Sequence, residues 1–134
     1  VAWSQAMPLV AAVVILAVLQ FFWFGILVGR ARTRYQVPPP ATTGNEIFER
    51  YFRVQQNTLE QLVIFIPSIW TFANYVSATW AAVLGVVFVV GRQLYQLGYV
   101  ADPKKRFAGF GLSALPNLLL ALGALAGACW GVLR

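Results

Sequence analysis

The 134 residues of this chain are 60% hydrophobic and only 10% charged. Soluble domains carry about 25% charged residues, so the composition excludes a water-soluble globular domain and predicts one integral membrane domain over residues 1–134. The net charge of +6 comes from cations clustered at the ends of apolar runs, which indicates contact with membrane lipids and excludes nucleic acid as the partner.

The apolar runs predict an all-α protein with four membrane-spanning helices. The first helix is expected over residues 6–28 and the second over residues 46–75, with a proline-rich loop between them. The third is expected over residues 79–99 and the fourth over residues 107–133. The second helix is unusual because its first half is charged and only its second half is apolar. The sequence therefore predicts a multi-pass four-helix bundle.

Basic residues predict how this bundle is oriented in the membrane. The first and third loops carry three cations each, and the second loop carries none. Basic loops stay on the cytoplasmic side, so both termini are expected on the opposite side. The six cations are Arg30, Arg32, Arg34, Lys104, Lys105 and Arg106.

Polar residues form a stripe along the second helix. Since each helical residue turns about 100° from the last, Glu46, Glu49, Asn57 and Glu60 all lie within about 40° of Arg53 around the helix axis. Arg92, Tyr95 and Tyr99 share one face of the third helix by the same rule.

Two interpretations of the stripe remain open. The charges could pair with one another, and the candidate pairs are Glu46 with Arg50, Glu49 with Arg53, and Glu60 with Arg92. Alternatively, they form a polar site for a ligand with carboxylates and an ammonium, because arginine forks bind carboxylates in bidentate fashion. Glutathione fits this description, as do an amino acid and an acidic lipid headgroup. The chain has no histidine, so histidine triads and histidine metal sites are excluded and no metal is expected.

Short motifs then add a family resemblance. The motifs are Pro39-Pro40-Ala41-Thr42-Thr43-Gly44, Phe48-Glu49-Arg50, Gln56-Asn57-Thr58-Leu59-Glu60 and Val90-Gly91-Arg92, followed by Leu94-Tyr95 and Gly98-Tyr99. Together they resemble the membrane-associated proteins in eicosanoid and glutathione metabolism (MAPEG), and especially the branch of type-three microsomal glutathione transferases and leukotriene-C synthases.

The resemblance implies a homotrimer that binds glutathione between neighbouring subunits, near the cytoplasmic side. By position it implies that glutathione is bound by Arg53, Gln55, Asn57, Glu60, Tyr95 and Tyr99. It also implies that Arg106 activates the thiol, that Arg32 contacts the peptide and that Arg92 supports Glu60. Arg32 and a tyrosine are the candidates for the proton donor to the leaving group. Lys104 and Lys105 flank Arg106, and which of the three cations contacts the thiol stays open.

The expected function is that of a membrane glutathione transferase or peroxidase. Glutathione is the co-substrate, and its thiolate attacks a hydrophobic electrophile or a lipid hydroperoxide that arrives from the bilayer. The alternative is a non-enzymatic lipid-binding scaffold of the five-lipoxygenase-activating type. That type lacks the second-helix arginine and has aspartate in place of the glutamate, whereas this chain has Arg53 and Glu60. A transporter or small channel subunit is a third hypothesis, which the lack of broken half-helices disfavours.

Overall fold

Four long helices make up the fold. The computed structural model describes residues 3–134, with side chains described from residue 5 onwards. Within that range the helices are α1 Trp3–Tyr35, α2 Glu46–Tyr75, α3 Ala78–Ala101 and α4 Arg106–Leu133, and a single 3-10 turn at Pro103–Lys105 precedes α4. The all-α prediction is therefore confirmed.

The first helix extends well past the predicted end at residue 28, to Tyr35. Its arginines are good helix formers, and no proline occurs between Arg30 and Val37 to stop it. The helix ends where Gln36 adopts a positive φ of 58° and the Val37 amide donates to the Arg32 carbonyl at 3.0 Å. This is a Schellman-type stop. The basic end of α1 is therefore a rigid helix that continues beyond the apolar run.

Three of the four helices are long and apolar enough to cross a membrane: α1, α3 and α4. The expectation of four spans is thus supported for three helices by hydropathy, and α2 falls short because its first half carries the charged stripe. Buried residues such as Phe65 and Ile69 nevertheless place the apolar half of α2 in the core of the bundle. The orientation of the bundle in the membrane stays a prediction.

Side-chain caps fix the starts of α2 and α3. The Asn45 side chain accepts a hydrogen bond from the Phe48 amide at 2.9 Å, and the Ser77 hydroxyl accepts one from the Trp80 amide at 3.1 Å. Both caps satisfy amides that the first helical turn leaves without partners. Because only two residues separate α2 from α3, these neighbouring helices run antiparallel.

One layer of close packing holds α1, α2 and α3 together in the apolar core. The rings of Phe65 and Phe88 stack with their centroids 4.0 Å apart. Beside them, Gly85 lets α3 approach α1 and α2 so closely that an added Cβ would lie 2.6 Å from Val13 and 2.9 Å from Ile69. Small residues at such contacts are the usual means by which membrane helices approach one another.

Two further glycines bring α3 and α4 into backbone contact near the basic end. A Cβ on Gly91 would lie 2.6 Å from the Ser113 amide nitrogen. A Cβ on Gly109 would overlap the backbone of Tyr95. Neither neighbour is a flexible side chain that can move aside, so both positions require glycine. This contact sets the depth at which Tyr95 sits between the helices.

We expect Gly109→Ala to lower the free energy of unfolding in detergent by about 1–3 kcal/mol, the usual cost of overpacking. The melting temperature should fall accordingly. The matched control is Gly111→Ala, on the same helix, where an added Cβ would meet nothing within 4 Å. Removing a helical glycine there should be neutral or slightly stabilising. Thermal unfolding followed by size-exclusion chromatography measures both variants, and equal melting temperatures would show that the α3–α4 contact is not tight.

Candidate functional site

A pocket near the basic end of the bundle is lined by α2, α3 and the start of α4. Its volume is about 270 Å³. The lining residues are Arg53, Asn57, Tyr95, Tyr99, Arg106, Phe107 and Phe110. Five of the residues predicted to form the site from the sequence therefore lie around one cavity within a single chain.

The α2 wall of the pocket offers unused polar groups. Arg53 is exposed, and no carboxylate oxygen of residues 3–134 lies within ion-pair distance of it, because the one salt bridge in that range joins Arg50 to Glu46. The Asn57 side-chain oxygen is buried and has no hydrogen-bond partner. Buried polar atoms normally have partners, so this oxygen is suited to accept a hydrogen bond from a ligand.

Of the three candidate ion pairs, one forms. The Arg50 Nη2 atom lies 3.0 Å from the Glu46 Oε1 atom. Arg50 also donates to the carbonyl oxygens of Val100 and Ala101 at 3.0 and 3.2 Å. This arginine therefore ties the start of α2 to the end of α3. The candidate pair of Glu49 with Arg53 does not form within residues 3–134, and Glu49 instead accepts a hydrogen bond from the Gly44 amide at 3.2 Å.

The candidate pair of Glu60 with Arg92 does not form within residues 3–134 either. Arg92 is fully buried, and it donates to the hydroxyl oxygens of Thr58 at 2.7 Å and Ser113 at 3.2 Å. Glu60 is exposed, because two residues along a helix turn the side chain to the far side from Thr58. The role implied for Arg92, support of Glu60, is replaced by contacts with two hydroxyls.

Arg92 also lies against the tyrosine of the pocket. Its guanidinium carbon is 4.3 Å from the centroid of the Tyr95 ring, which is cation–π distance. Tyr95 in turn lies 5.5 Å from the Tyr99 ring, centroid to centroid. The buried arginine therefore fixes the position of Tyr95, and with it one wall of the pocket.

Arg106 is the first residue of α4 and the one cation of its loop that lines the pocket. One of its terminal nitrogens donates to the Pro103 carbonyl at 2.9 Å, and its guanidinium carbon lies 4.6 Å from the centroid of the Phe107 ring. Lys104 and Lys105 are exposed and lie outside the pocket lining. Of these three cations, Arg106 is therefore the one that lines the pocket.

Besides Arg92, three of the predicted site residues lie outside this pocket: Arg32, Gln55 and Glu60. Arg32 donates to the carbonyl oxygens of Val37 and Ala41 at 3.2 and 2.7 Å, and its guanidinium lies 4.8 Å from the centre of the Phe48 ring. It thus holds the loop after α1 against the start of α2. Gln55 packs beside Gly25 of α1.

The sequence reasoning did not identify the apolar part of the pocket. Phe107 and Phe110 line the cavity and keep 70% and 37% of their surface exposed. The available signal was the position of Phe110 four residues after Arg106, because residues four apart in a helix share a face. Phe107, one residue after Arg106, is turned about 100° from it, so this rule did not identify it. The pocket thus combines two cations, hydroxyl groups and an apolar rim that opens outward.

Known proteins are similar to this chain over most of its length. Residues 10–126 match the model of the MAPEG family. The chain is 48% identical to human (Homo sapiens) microsomal glutathione S-transferase 2 over 118 residues, which cover 87% of this chain and 80% of that protein. It is 38% identical to leukotriene C4 synthase of Cavia porcellus over 123 residues, covering 91% of this chain and 82% of that one.

A third relative is an uncharacterized protein of Synechocystis, which is 50% identical over 120 residues, or 90% of this chain and 88% of its own length. The microsomal transferase among these relatives is of type two, whereas the residue pattern resembled type three. The predicted family resemblance is confirmed. Since the family match covers most of the chain and each of these relatives is aligned over most of its length, this protein belongs to the MAPEG family.

Proposed function

We propose that this protein is a membrane glutathione transferase that holds glutathione in the pocket between α2, α3 and α4. The observation that carries the proposal is the placement of Arg53 and Arg106 around one cavity with Tyr95 and Tyr99. The name of the relative microsomal glutathione S-transferase 2 supports glutathione as the co-substrate. The lipid-binding scaffold of the five-lipoxygenase-activating type lacks the second-helix arginine, whereas Arg53 lines this pocket.

Glutathione offers two carboxylates, an ammonium and a thiol, and the site has a group suited to each. The Arg53 fork would bind a carboxylate, and the Asn57 oxygen would accept a hydrogen bond from a peptide N–H of glutathione. Glu60 follows these residues on the same stripe and would hold the ammonium. Tyr95 and Tyr99 would donate hydrogen bonds from the α3 side.

Arg106 would then act on the thiol. A free thiol has a pKa of about 8.5, and a nearby cation can lower it to within about 3.5–7.5. Arginine suits this role because it stays protonated. The thiolate sulfur would attack an electrophilic carbon, and the leaving group would depart with the bonding electrons and collect a proton from water or from the site.

Peroxide reduction is compatible with the same thiolate. The sulfur would attack one oxygen of a lipid hydroperoxide, the O–O bond would break, and the released alkoxide would take up a proton. The resulting sulfenic acid would react with a second glutathione to give the disulfide and water. Conjugation and reduction therefore differ in the second substrate and share the residues that hold and ionise glutathione.

The second substrate would be a hydrophobic electrophile that enters from the bilayer. Phe107 and Phe110 form the apolar rim of the pocket, next to Arg106. An apolar molecule dissolved in the membrane could reach the thiolate along these rings without passing through water. The polar co-substrate would enter from the aqueous side, where the basic residues lie.

We further propose that the complete site forms between subunits of a homotrimer. The pocket of about 270 Å³ lies just below the range of about 300–1,000 Å³ usual for small-molecule sites. The stripe residues Arg53 and Glu60 are exposed in the single chain, and a neighbouring subunit would cover them. Arg32 and Gln55, which lie outside the pocket of their own chain, would complete the neighbour's site, with Arg32 as a candidate proton donor.

Replacement of Arg53 should weaken glutathione binding. We expect Arg53→Ala to cost about 2–5 kcal/mol of binding free energy, because it leaves a ligand carboxylate without its charge partner. Isothermal titration with glutathione measures the loss. Arg34→Ala is the control, since it removes the same charge from an exposed arginine outside the pocket. Equal affinities of the two variants would contradict the assignment.

Replacement of Arg106 should affect the thiol more than the binding of glutathione. We expect Arg106→Ala to raise the pKa of the bound thiol toward about 8.5, so that turnover with an aryl halide falls at neutral pH and recovers as the pH rises. Arg106→Lys should show a milder defect, because the charge remains while the fork is lost. The measurements are the ultraviolet absorbance of the thiolate and the pH dependence of turnover.

Lys105→Ala is the matched control for Arg106, since it removes a neighbouring cation that does not line the pocket. It should leave the pH profile unchanged. If Arg106→Ala retains the full rate at neutral pH, the role assigned to this arginine is wrong, and Lys104 or Lys105 becomes the next candidate.

Mixed trimers should test whether neighbouring subunits share a site. We expect homotrimers of Arg32→Ala and of Arg53→Ala to be nearly inactive. Co-expression of the two variants should restore activity, because each mixed ring contains one site with both arginines intact. Native mass spectrometry in mild detergent would count the copies and verify the mixture. Mixed trimers without restored activity, or a stable monomer that binds glutathione, would refute the proposal.

A further inference from the structure

A second groove lies at the basic end of the bundle, between the last turns of α1 and the first turns of α2. Its volume is about 500 Å³. The groove is lined by Leu27, Arg30, Ala31, Thr33, Arg34, Tyr35 and Tyr51. The proposed function uses none of these residues.

This groove is separate from the candidate glutathione pocket. The two cavities have no lining residue in common. Tyr51 and Arg53 are two positions apart on α2, which turns their side chains to nearly opposite sides of the helix, about 160° apart. The same spacing separates Arg30 from Arg32 on α1. A ligand in the groove would therefore contact a different surface of both helices.

The groove presents two arginines that lack protein acceptors. Arg30 and Arg34 are one helical turn apart and exposed, and within residues 3–134 neither lies within 4.0 Å of a carboxylate oxygen. The guanidinium of Arg34 lies 5.6 Å from the centre of the Tyr35 ring. By contrast, Arg50 is held by Glu46, and Arg32 is held by two backbone carbonyls. The two groove arginines are thus free to bind an anion.

The polar and apolar parts of the groove are arranged along the helix axis. Arg34 lies at the outer end, whereas Leu27 lies two turns closer to the centre of the membrane-spanning helix, about 10 Å deeper. Ala31 is buried between them, and the half-buried Tyr35 and Tyr51 line the groove beside the arginines. The groove therefore offers two cations above an apolar surface. This arrangement is complementary to a phospholipid, which has an anionic head and an apolar chain.

We propose that this groove binds the phosphate group of an anionic phospholipid. The guanidinium forks of Arg30 and Arg34 bind the phosphate oxygens, a geometry that arginine matches well. The first part of an acyl chain lies along Leu27 and Ala31. A free phosphate ion would use the same two arginines, but it would gain nothing from the apolar floor.

The test uses the full chain in mild detergent, with phosphatidylglycerol as the probe and phosphatidylcholine and inorganic phosphate as parallel arms. Native mass spectrometry counts bound lipid in the wild type and in the double variant Arg30→Gln/Arg34→Gln. The control is Lys104→Gln/Lys105→Gln, which removes the same charge from residues outside the groove. We expect the groove variant to lose about fivefold in affinity for phosphatidylglycerol for each arginine, and the control to bind like the wild type.

Three results would overturn the proposal. Equal lipid binding by the groove variant and the control would show that general surface charge attracts the lipid. Full displacement of phosphatidylglycerol by millimolar inorganic phosphate would identify an ion site with no use for the lipid chain. A loss of glutathione affinity in the groove variant would mean that the groove belongs to the glutathione site, so this inference would fail while the proposed function stood.

Discussion

A charged guanidinium enclosed among membrane helices is the constraint on which the rest of this structure depends. Removing an ion from water costs several kcal/mol even after the protein relaxes, so Arg92 persists only where its surroundings compensate. Here α2 supplies the Thr58 hydroxyl, α4 supplies that of Ser113, and α3 supplies the Tyr95 ring. Three helices therefore have to meet at one level and in one rotation about their axes.

The close backbone contact of α3 with α4 follows from this requirement. Ser113 reaches Arg92 because the neighbouring Gly91 lets the two helices approach until a Cβ would touch the Ser113 amide. Gly109 permits the same approach one turn closer to the basic end, beside Tyr95. Tyr95, which lines the pocket, is consequently held by Arg92 on one side and by the backbone of α4 on the other. This wall of the pocket is therefore rigid without a ligand.

The sequence was informative wherever a single helix carries the pattern. The stripe with Arg53 and Asn57, and the face with Tyr95 and Tyr99, follow from helical periodicity alone, and the structure places these residues around one cavity. The sequence was misleading about partners. One of the two open interpretations paired Arg92 with Glu60, since opposite charges attract, but the choice of Thr58 and Ser113 depends on how three helices are rotated against one another. Periodicity within one helix does not contain that information.

The end of α1 shows a different limit. The predicted boundary at residue 28 marked where apolar residues stop, which is a property of the membrane, whereas the helix itself continues until backbone geometry stops it at Gln36. Arg32 likewise looked like a ligand residue, but within the single chain its hydrogen bonds hold the following loop. The residue type and position of Arg32 were enough to suggest a binding role. They could not reveal that its hydrogen bonds also have a structural role in holding the loop.

The outward-facing rings of Phe107 and Phe110 have a consequence for how such a protein would be measured. Under the proposed function, the apolar rim opens toward lipid and the pocket takes its electrophile from the bilayer, where apolar compounds accumulate. Its rate would then follow the amount of that compound per lipid molecule rather than per volume of buffer. Adding empty vesicles would slow the reaction, because the same amount of electrophile would be spread over more lipid. The concentration of the water-soluble thiol in the buffer would stay the same.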